Sequence, residues 1–244
     1  QNPGTPRVQA VYQYYNRAPF VIIGRKDRGI DGDFKSLQGK KVAAAAVEST
    51  RRAWPMVARK AGMKPDAFQW QTTDFSARDN VVVRGDVDAA TYFHDSAVSL
   101  FARVKQEELS VLKYSDAGVN LYGNAILASS NLVAQNPKVV EAFLRATNRA
   151  ILETLANPGP SIAAVRQREP ILVEKVELDR WGITAQYVAA PDTRGHGLGD
   201  IRKLMLEQQV DEVVDVFGLK VKPSADAIFN GSMLPARSER MGKV

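Results

Sequence analysis

The chain has 244 residues, of which 45% are hydrophobic and 25% are charged, and its formal net charge is +6. This composition is that of a globular protein and excludes a disordered or fibrous chain. The length fits either one large domain or two lobes of about 100 residues each. The sequence contains no cysteine, which excludes disulfides, thiolate metal sites and a cysteine nucleophile.

The positive charge is spread along the chain rather than gathered on one element. Basic residues occur within 25–28, at 40–41 and at 51–52, whereas nucleic-acid binding favours a basic cluster with aromatic residues among it. We therefore expect no nucleic-acid partner. Because His94 and His196 are the only histidines, the sequence offers little material for a histidine metal site or a Ser-His-Asp triad. We expect no catalytic residue, no metal and no cofactor.

Strand and helix patterns alternate through the first half of the chain, which favours βαβ units and a largely parallel sheet. Pro55 is expected in the first turn of its helix, because a proline deeper in a helix breaks the hydrogen-bond ladder. The predicted strands are Val8–Tyr15, Ala18–Ile23, Lys41–Ala46, Phe68–Thr72, Val87–Phe93 and Leu109–Tyr114. The predicted helices are Ser49–Ala61, Ser76–Arg84 and Asp95–Lys105.

The pattern changes after Gly118, beyond which one strand is followed mainly by helices. The pair Asn136-Pro137 is a strong helix start, since asparagine caps helices and proline is favoured at the first helical position. Apolar residues at helical spacing continue from there to Leu155. The strand is predicted at Tyr122–Ser129, and further helices are predicted at Ser161–Arg168, Leu172–Ala189 and Ile201–Val216.

This order of elements predicts an α/β lobe inserted into another lobe. The inserted lobe would be residues 38–118, and the other lobe would combine residues 1–37 with residues 119–244. The chain would cross between the lobes near Gly24–Gly39 and again near Ala117–Gly123. Two such crossings are typical of hinge architecture, although one α/β domain with a helical tail would give a similar pattern.

The most informative local feature is the start of the first predicted helix, where a small-residue strand runs into Glu48, Ser49 and Thr50. Free backbone N–H groups and the positive end of the helix dipole attract an anion or a polar carbonyl there, and the two hydroxyls add donors. The simpler alternative is an ordinary N-cap, because serine and threonine are common caps. No phosphate-loop motif is present.

Aromatic residues with polar neighbours occur at three further places. Tyr92 and His94 come at the carboxyl end of a predicted strand, where ligands bind in open α/β sheets. The alternative is a pair of core aromatics followed by a capping Asp95. The other two places, which would line a cleft if the chain has a hinge and would otherwise be edge aromatics and turn residues, are Tyr14, Tyr15, Tyr122 and Asn124.

Taken together, seven segments resemble the nitrate/sulfonate/taurine and thiamine-pyrimidine branch of the substrate-binding proteins of ABC importers. They follow one another in order over about residues 8–236. The segments are FKSLQGKKV at 34–42, VEST at 47–50, RGDVDAA at 84–90, YGNAILAS at 122–129, NPKVVEAFLRAT at 136–147, GLGD at 197–200 and FNGSMLP at 229–235.

The resemblance implies an α/β, two-lobed, periplasmic-binding-protein-like (type II) fold with two hinge crossings. It implies a non-catalytic, exported component of an ABC import system, whose partners are a small-molecule ligand and the membrane permease. The ligand would be a small anionic or heteroaromatic compound, such as a sulfonate, nitrate, carboxylate or pyrimidine. The residues expected to bind it in a cleft between the lobes are Tyr14, Tyr15, Glu48, Ser49, Thr50, Tyr92, His94, Tyr122 and Asn124.

The sequence also departs from the family pattern. Members normally begin with two further βα units before the strand at Val8, so we expect that an N-terminal part is missing and that the full-length protein is a monomer. Related pyrimidine-synthesising enzymes use a cysteine-rich motif and histidine–iron chemistry, which a chain without cysteine does not match. An enzyme on the same scaffold and the effector-sensing domain of a transcription regulator are the alternative functions.

Overall fold

The computed structural model describes residues 7–242. The described residues form two compact units, of which unit 1 contains residues 7–18 and 121–242 and unit 2 contains residues 19–120. The strands are β1 (Val8–Gln13), β2 (Phe20–Arg25), β3 (Lys41–Ala44), β4 (Gln69–Thr72), β5 (Ala89–Phe93), β6 (Leu109–Lys113) and β7 (Ala125–Ser129).

Short turns and ten α-helices in the described part of the chain complete the two units. None of these helices combines the length and the hydropathy that crossing a membrane requires. The helices are α1 (Ser49–Lys60), α2 (Arg78–Arg84), α3 (Val98–Phe101), α4 (Ser130–Gln135), α5 (Pro137–Ala156), α6 (Pro158–Arg168), α7 (Glu174–Val188), α8 (Lys203–Phe217), α9 (Ala225–Ile228) and α10 (Arg237–Arg240).

The sheet of unit 2 has five strands in the order β4-β3-β5-β2-β6. Strand β3 is parallel to both β4 and β5, whereas β2 is antiparallel to both β5 and β6. The prediction of a largely parallel sheet is therefore wrong, and the sheet is mixed. The reason is that β2 enters unit 2 ahead of its βα repeats. No crossover helix joins it to a neighbouring strand, so nothing forces it to run parallel to them.

The first boundary between the units also differs from the predicted one. The sequence pattern assigns residues 1–37 to one lobe, but β2 is hydrogen-bonded between β5 and β6 and so belongs to unit 2. Turn residues show only that the chain changes direction. The turn after Gly24 joins two strands of one sheet, so it does not mark a passage from one unit to the other. The second boundary, between residues 120 and 121, lies inside the interval Ala117–Gly123.

Helix α1 keeps Pro55 as its seventh residue, so the expectation that this proline lies in the first turn is wrong. A proline there removes one hydrogen bond of the helix and costs about 3 kcal/mol. Packing compensates for that loss, because α1 buries Trp54, Met56 and Val57 almost completely. The helix therefore continues to Lys60.

The core of unit 2 gathers apolar side chains from the central strands and from the helices packed on them. Small residues on β3 and β5 allow the helices to approach the sheet closely. The buried members of this core include Val21, Ile23, Ala43, Val82, Ala90, Tyr92 and Leu100.

Unit 1 contains the antiparallel pair β1–β7 and most of the helices. The long helix predicted after Asn136 is confirmed: α5 starts with Pro137 at its first position and buries Val140, Leu144 and Ile151. In the segment GLGD, Gly199 has φ +77°, and a Cβ atom there would lie 2.3 Å from the ring of Tyr12. Glycine is therefore needed both for the left-handed backbone and for the close approach of the ring.

Candidate functional site

The candidate site in unit 2 lies at the carboxyl ends of β3 and β5, which meet at one edge of the sheet because the two strands are parallel. We call this region the unit 2 edge. It consists of residues 45–50, residues 92–94, and Phe75 and Arg78, which pack against each other. Five of the predicted residues come together here: Glu48, Ser49, Thr50, Tyr92 and His94.

A buried ion pair stands at the start of α1. Glu48 is the N-cap residue of α1, and its carboxylate accepts a hydrogen bond from the backbone N–H of Ala45 at 2.9 Å. The other carboxylate oxygen lies 3.3 Å from the Nη1 atom of Arg78. Both side chains are more than nine-tenths buried. Additional hydrogen bonds stabilise a buried pair of this kind, and the backbone carbonyl of Thr91 accepts one from Nη1 of Arg78. The buried Nε atom of Arg78 has no hydrogen-bond partner within the described part of the chain.

The guanidinium group of Arg78 also packs against two aromatic rings. Its guanidinium carbon lies 4.7 Å from the ring centre of Tyr92 and 4.7 Å from that of Phe75, distances at which a cation is attracted to an aromatic face. The hydroxyl of Tyr92 donates to the carboxylate of Asp79 at 2.8 Å. Burial and the neighbouring Asp79 raise the pKa of Tyr92, so this tyrosine stays protonated and keeps its bond.

The first turn of α1 supplies backbone donors, and of its two hydroxyl groups only that of Ser49 is exposed. The first hydrogen bond of the helix runs from the N–H of Arg52 to the carbonyl of Glu48, so the N–H groups of the three preceding residues lie ahead of the helical ladder. Thr50 is fully buried, and its hydroxyl lies 3.5 Å from the carbonyl of Tyr92. The carbonyl of Thr50 accepts from the hydroxyl of Tyr114. Ser49 is exposed.

His94 follows β5 and is half-buried. Burial and the positive charge of Lys113 lower its pKa from 6.5 to about 4, against the opposing effect of Asp95. The imidazole is therefore neutral at pH 7. Its ring meets that of Phe101 edge to face, with 6.3 Å between the centres.

Two large apolar side chains lie uncovered at the unit 2 edge. Val47 is 74% exposed and Phe75 is 60% exposed, and they are the only exposed large hydrophobic residues among residues 19–120, all of which the structure describes. Each follows the carboxyl end of a parallel strand. Exposed apolar side chains next to polar groups are typical of ligand- or partner-binding surfaces.

The other predicted residues come together in unit 1. The backbone of Tyr15 exchanges hydrogen bonds with Gly123 and Asn124, and the ring of Tyr15 packs against the rings of Tyr14 and Tyr187. Tyr122 accepts a hydrogen bond from the N–H of Arg202 through its hydroxyl oxygen.

Three polar residues that sequence reasoning missed hold or adjoin these groups. Gln13 joins the end of β1 to the loop that contains Gly123 and Asn124, because its amide nitrogen contacts the carbonyls of Tyr15, Gly123 and Asn124. Asn16 is fully buried. Arg78 joins the helix start to Tyr92. The sequence offers one signal for two of them: a glutamine inside a predicted strand and an arginine inside a predicted helix can indicate buried polar contacts. The pattern does not show which groups these side chains contact.

No group of three or more histidine, cysteine, aspartate or glutamate side chains within residues 7–242 is arranged to hold a metal ion.

The family model described as "NMT1/THI5 like" matches residues 4–161, which is more than half of the chain. The chain belongs to the NMT1/THI5-like family. The family resemblance that the seven sequence segments indicate is therefore confirmed.

Two curated proteins are similar to parts of this NMT1/THI5-like chain. The riboflavin-binding protein RibY of Chloroflexus aurantiacus is 47% identical over 51 residues, which are 21% of this chain and 14% of that protein. The 4-amino-5-hydroxymethyl-2-methylpyrimidine phosphate synthase of Aspergillus parasiticus is 24% identical over 165 residues, which are 63% of this chain and 48% of that enzyme. The chain thus spans less than half the length of each.

Solved structures share the fold over most of this NMT1/THI5-like chain. A ligand-binding component of an ABC-type import system from Staphylococcus aureus matches with a TM-score of 0.66 and 12% identity, covering 93% of this chain and 73% of that one. The aliphatic sulphonate-binding protein SsuA of Escherichia coli matches with a TM-score of 0.64 and 17% identity, covering 95% and 70%. These matches confirm the predicted two-lobed periplasmic-binding-protein fold.

Proposed function

We propose that this chain is the solute-binding component of an ABC import system, and that its solute is an uncharged ring compound rather than a sulfonate or nitrate anion. The observation that carries the proposal is the unit 2 edge, where backbone donors, a neutral histidine and uncovered apolar side chains adjoin a charge-paired helix start. Such a combination suits a planar compound with polar ring atoms.

The charges at the unit 2 edge argue against an anionic solute. The positive end of the α1 dipole already has the carboxylate of Glu48 beside it, and that carboxylate is paired with Arg78. Because a carboxylate already lies at this helix start, the positive end of the dipole offers less attraction to an added anion. His94, being neutral, supplies no compensating positive charge.

The apolar side chains favour a ring. Phe75 lies against the guanidinium of Arg78 on one side and is largely exposed, which leaves aromatic surface for stacking. Exposed Ser49, at the first position of α1, and His94 are the side chains we propose as polar contacts. Glu48, Thr50 and Tyr92 are buried, and we propose that they position the edge. The predicted Tyr14, Tyr15, Tyr122 and Asn124 stay proposed ligand contacts of unit 1.

The relatives are consistent with a ring compound and with transport. One curated relative is named for binding riboflavin and another for making a pyrimidine phosphate. Structures with the same fold are named as import components and periplasmic binding proteins. We therefore propose an exported chain that delivers its solute unchanged to a permease. The alternative of pyrimidine-synthesising activity predicts that a bound pyrimidine is chemically converted.

Replacing Phe75 by alanine tests the proposal. Calorimetric titration with riboflavin, and separately with 4-amino-5-hydroxymethyl-2-methylpyrimidine, is expected to show at least tenfold weaker binding for F75A than for the unchanged chain, because stacked aromatic area is lost. Stability should change little, since Phe75 is 60% exposed.

The matched control is F143A, which removes a phenylalanine that is 57% exposed on α5 of unit 1. This variant should bind the ring compounds as the unchanged chain does. Equal weakening in both variants, or tight binding of taurine in place of either ring compound, would contradict the proposal.

A further inference from the structure

The amide of Asn16 is the most unusual polar group of unit 1. Asn16 follows the tyrosine pair at the end of β1, and its side chain is 0% exposed. Neither its Oδ1 atom nor its Nδ2 atom has a hydrogen-bond partner among residues 7–242. Most buried side-chain amides are hydrogen-bonded, and each exception calls for an explanation, because an unpaired buried polar group is costly.

A second buried asparagine in the same unit shows what a structural amide looks like. Asn148 on α5 is 2% exposed, yet its Oδ1 accepts from the hydroxyl of Tyr12 at 2.9 Å and its Nδ2 donates to the carbonyl of Glu239 at 2.9 Å. Both ends of that amide are satisfied within the protein. The chain therefore satisfies one buried asparagine fully and leaves the other with its donor and its acceptor unused.

The backbone of Asn16 is fixed although its side chain is unpaired within the described residues. Its backbone N–H is fixed by the carbonyl of Tyr187 at 2.8 Å, so the residue is held firmly. Its neighbour Arg17 is half-buried, whereas Tyr15 on its other side is buried. Elsewhere in unit 1, on α8, the side chain of Gln209 also has a buried amide nitrogen without a partner among residues 7–242, but its oxygen accepts from the backbone N–H of Tyr122.

We propose that Asn16 is the specificity-determining residue for the solute and reads an amide-like edge on its ring. A side-chain amide presents a donor and an acceptor side by side, so it pairs through two hydrogen bonds with a group that presents an acceptor and a donor. Ring lactams and ring amidines, such as flavins and aminopyrimidines, carry that arrangement, whereas sulfonate and nitrate carry acceptors alone. This inference rests on the proposed function, whose solute it names more closely.

Replacing Asn16 by leucine, which has a similar size and no polar atoms, tests the inference. Riboflavin and 4-amino-5-hydroxymethyl-2-methylpyrimidine are the probes, and Kd is measured by calorimetry together with the thermal midpoint of unfolding. N16L should bind the better probe at least tenfold more weakly, because two hydrogen bonds to the ligand are lost. Its thermal midpoint should be equal or higher, because no internal hydrogen bond is removed.

The matched control is N148L, which should show the opposite pattern: a lower thermal midpoint and an unchanged Kd. If N16L binds as the unchanged chain does, or unfolds like N148L, the amide of Asn16 is structural and the inference is wrong. Binding of taurine but of neither ring probe by the unchanged chain would overturn this inference and leave solute binding in place. Binding of none of the three would contradict the proposed function itself.

Discussion

At the scale of single residues, Arg78 connects the separate parts of the unit 2 edge. It joins the N-cap of α1 to Tyr92 and lies against Phe75, so it links places that the sequence shows as separate motifs. Glu48, Ser49, Thr50 and Tyr92 could be singled out because they stand at the ends of predicted strands and helices. Arg78 and Asn16 could not, since burial and hydrogen-bond satisfaction depend on contacts that are distant in sequence.

The low pKa of His94 makes the stability of the chain depend on pH. The pKa of this histidine falls from 6.5 to about 4 on folding, so protons bind more readily to the unfolded chain. The contribution is therefore fully present above pH 6.5 and is lost as the pH falls toward 4. With allowance for the partial exposure of the ring, the loss amounts to about 2 kcal/mol.

Replacement by glutamine isolates this contribution. Urea unfolding of the unchanged chain and of H94Q at pH 7.5 and pH 4.5 should show that H94Q loses less stability on acidification, by about 2 kcal/mol. All other residues are the same in both proteins, so the difference between the two losses reports the contribution of His94. Parallel losses in the two proteins would show that the imidazole is not held neutral.

At the scale of elements, features that depend on local sequence signals could be predicted, whereas features that depend on tertiary contacts could not. The bounds of α5 follow from Asn136-Pro137 and from helical spacing, because capping and periodicity are local properties. The length of α1 was also predictable, but the place of Pro55 was not, because buried packing offsets its cost. The pairing and direction of β2 depend on partners far along the chain, which no local pattern contains.

The approach of Gly199 to β1 leads to a prediction about packing. Alanine at Gly199 would place a Cβ atom 2.3 Å from the ring of Tyr12 at φ +77°, so G199A should lower the free energy of unfolding by at least about 3 kcal/mol. Gly62 is the matched control: its φ is +66°, and no heavy atom lies within 4 Å of the added methyl group.

G62A should therefore cost only the backbone strain, about 1 kcal/mol. Urea unfolding of the two variants measures the difference. If G199A and G62A lose the same stability, the ring of Tyr12 does not pack against this glycine.

For the whole molecule, the order of elements and seven short segments were enough to predict the family and the two-lobed fold, both of which are confirmed. The family alone leaves the solute open, since relatives are named for different compounds. Our proposal of a ring compound rests on the pairing of Glu48 with Arg78, the uncovered ring of Phe75 and the unsatisfied amide of Asn16. All three are properties of packing rather than of sequence pattern.

Native mass spectrometry of the purified chain, mixed with riboflavin, 4-amino-5-hydroxymethyl-2-methylpyrimidine and taurine in equal amounts, shows whether the chain carries a ring compound unchanged. We predict a complex of one chain with one ring compound, which dissociates to release the compound at its original mass, and no complex with taurine. Retention of taurine in preference to both ring compounds, or release of a ring compound with an altered mass, would show that the chain does not deliver an uncharged ring compound unchanged.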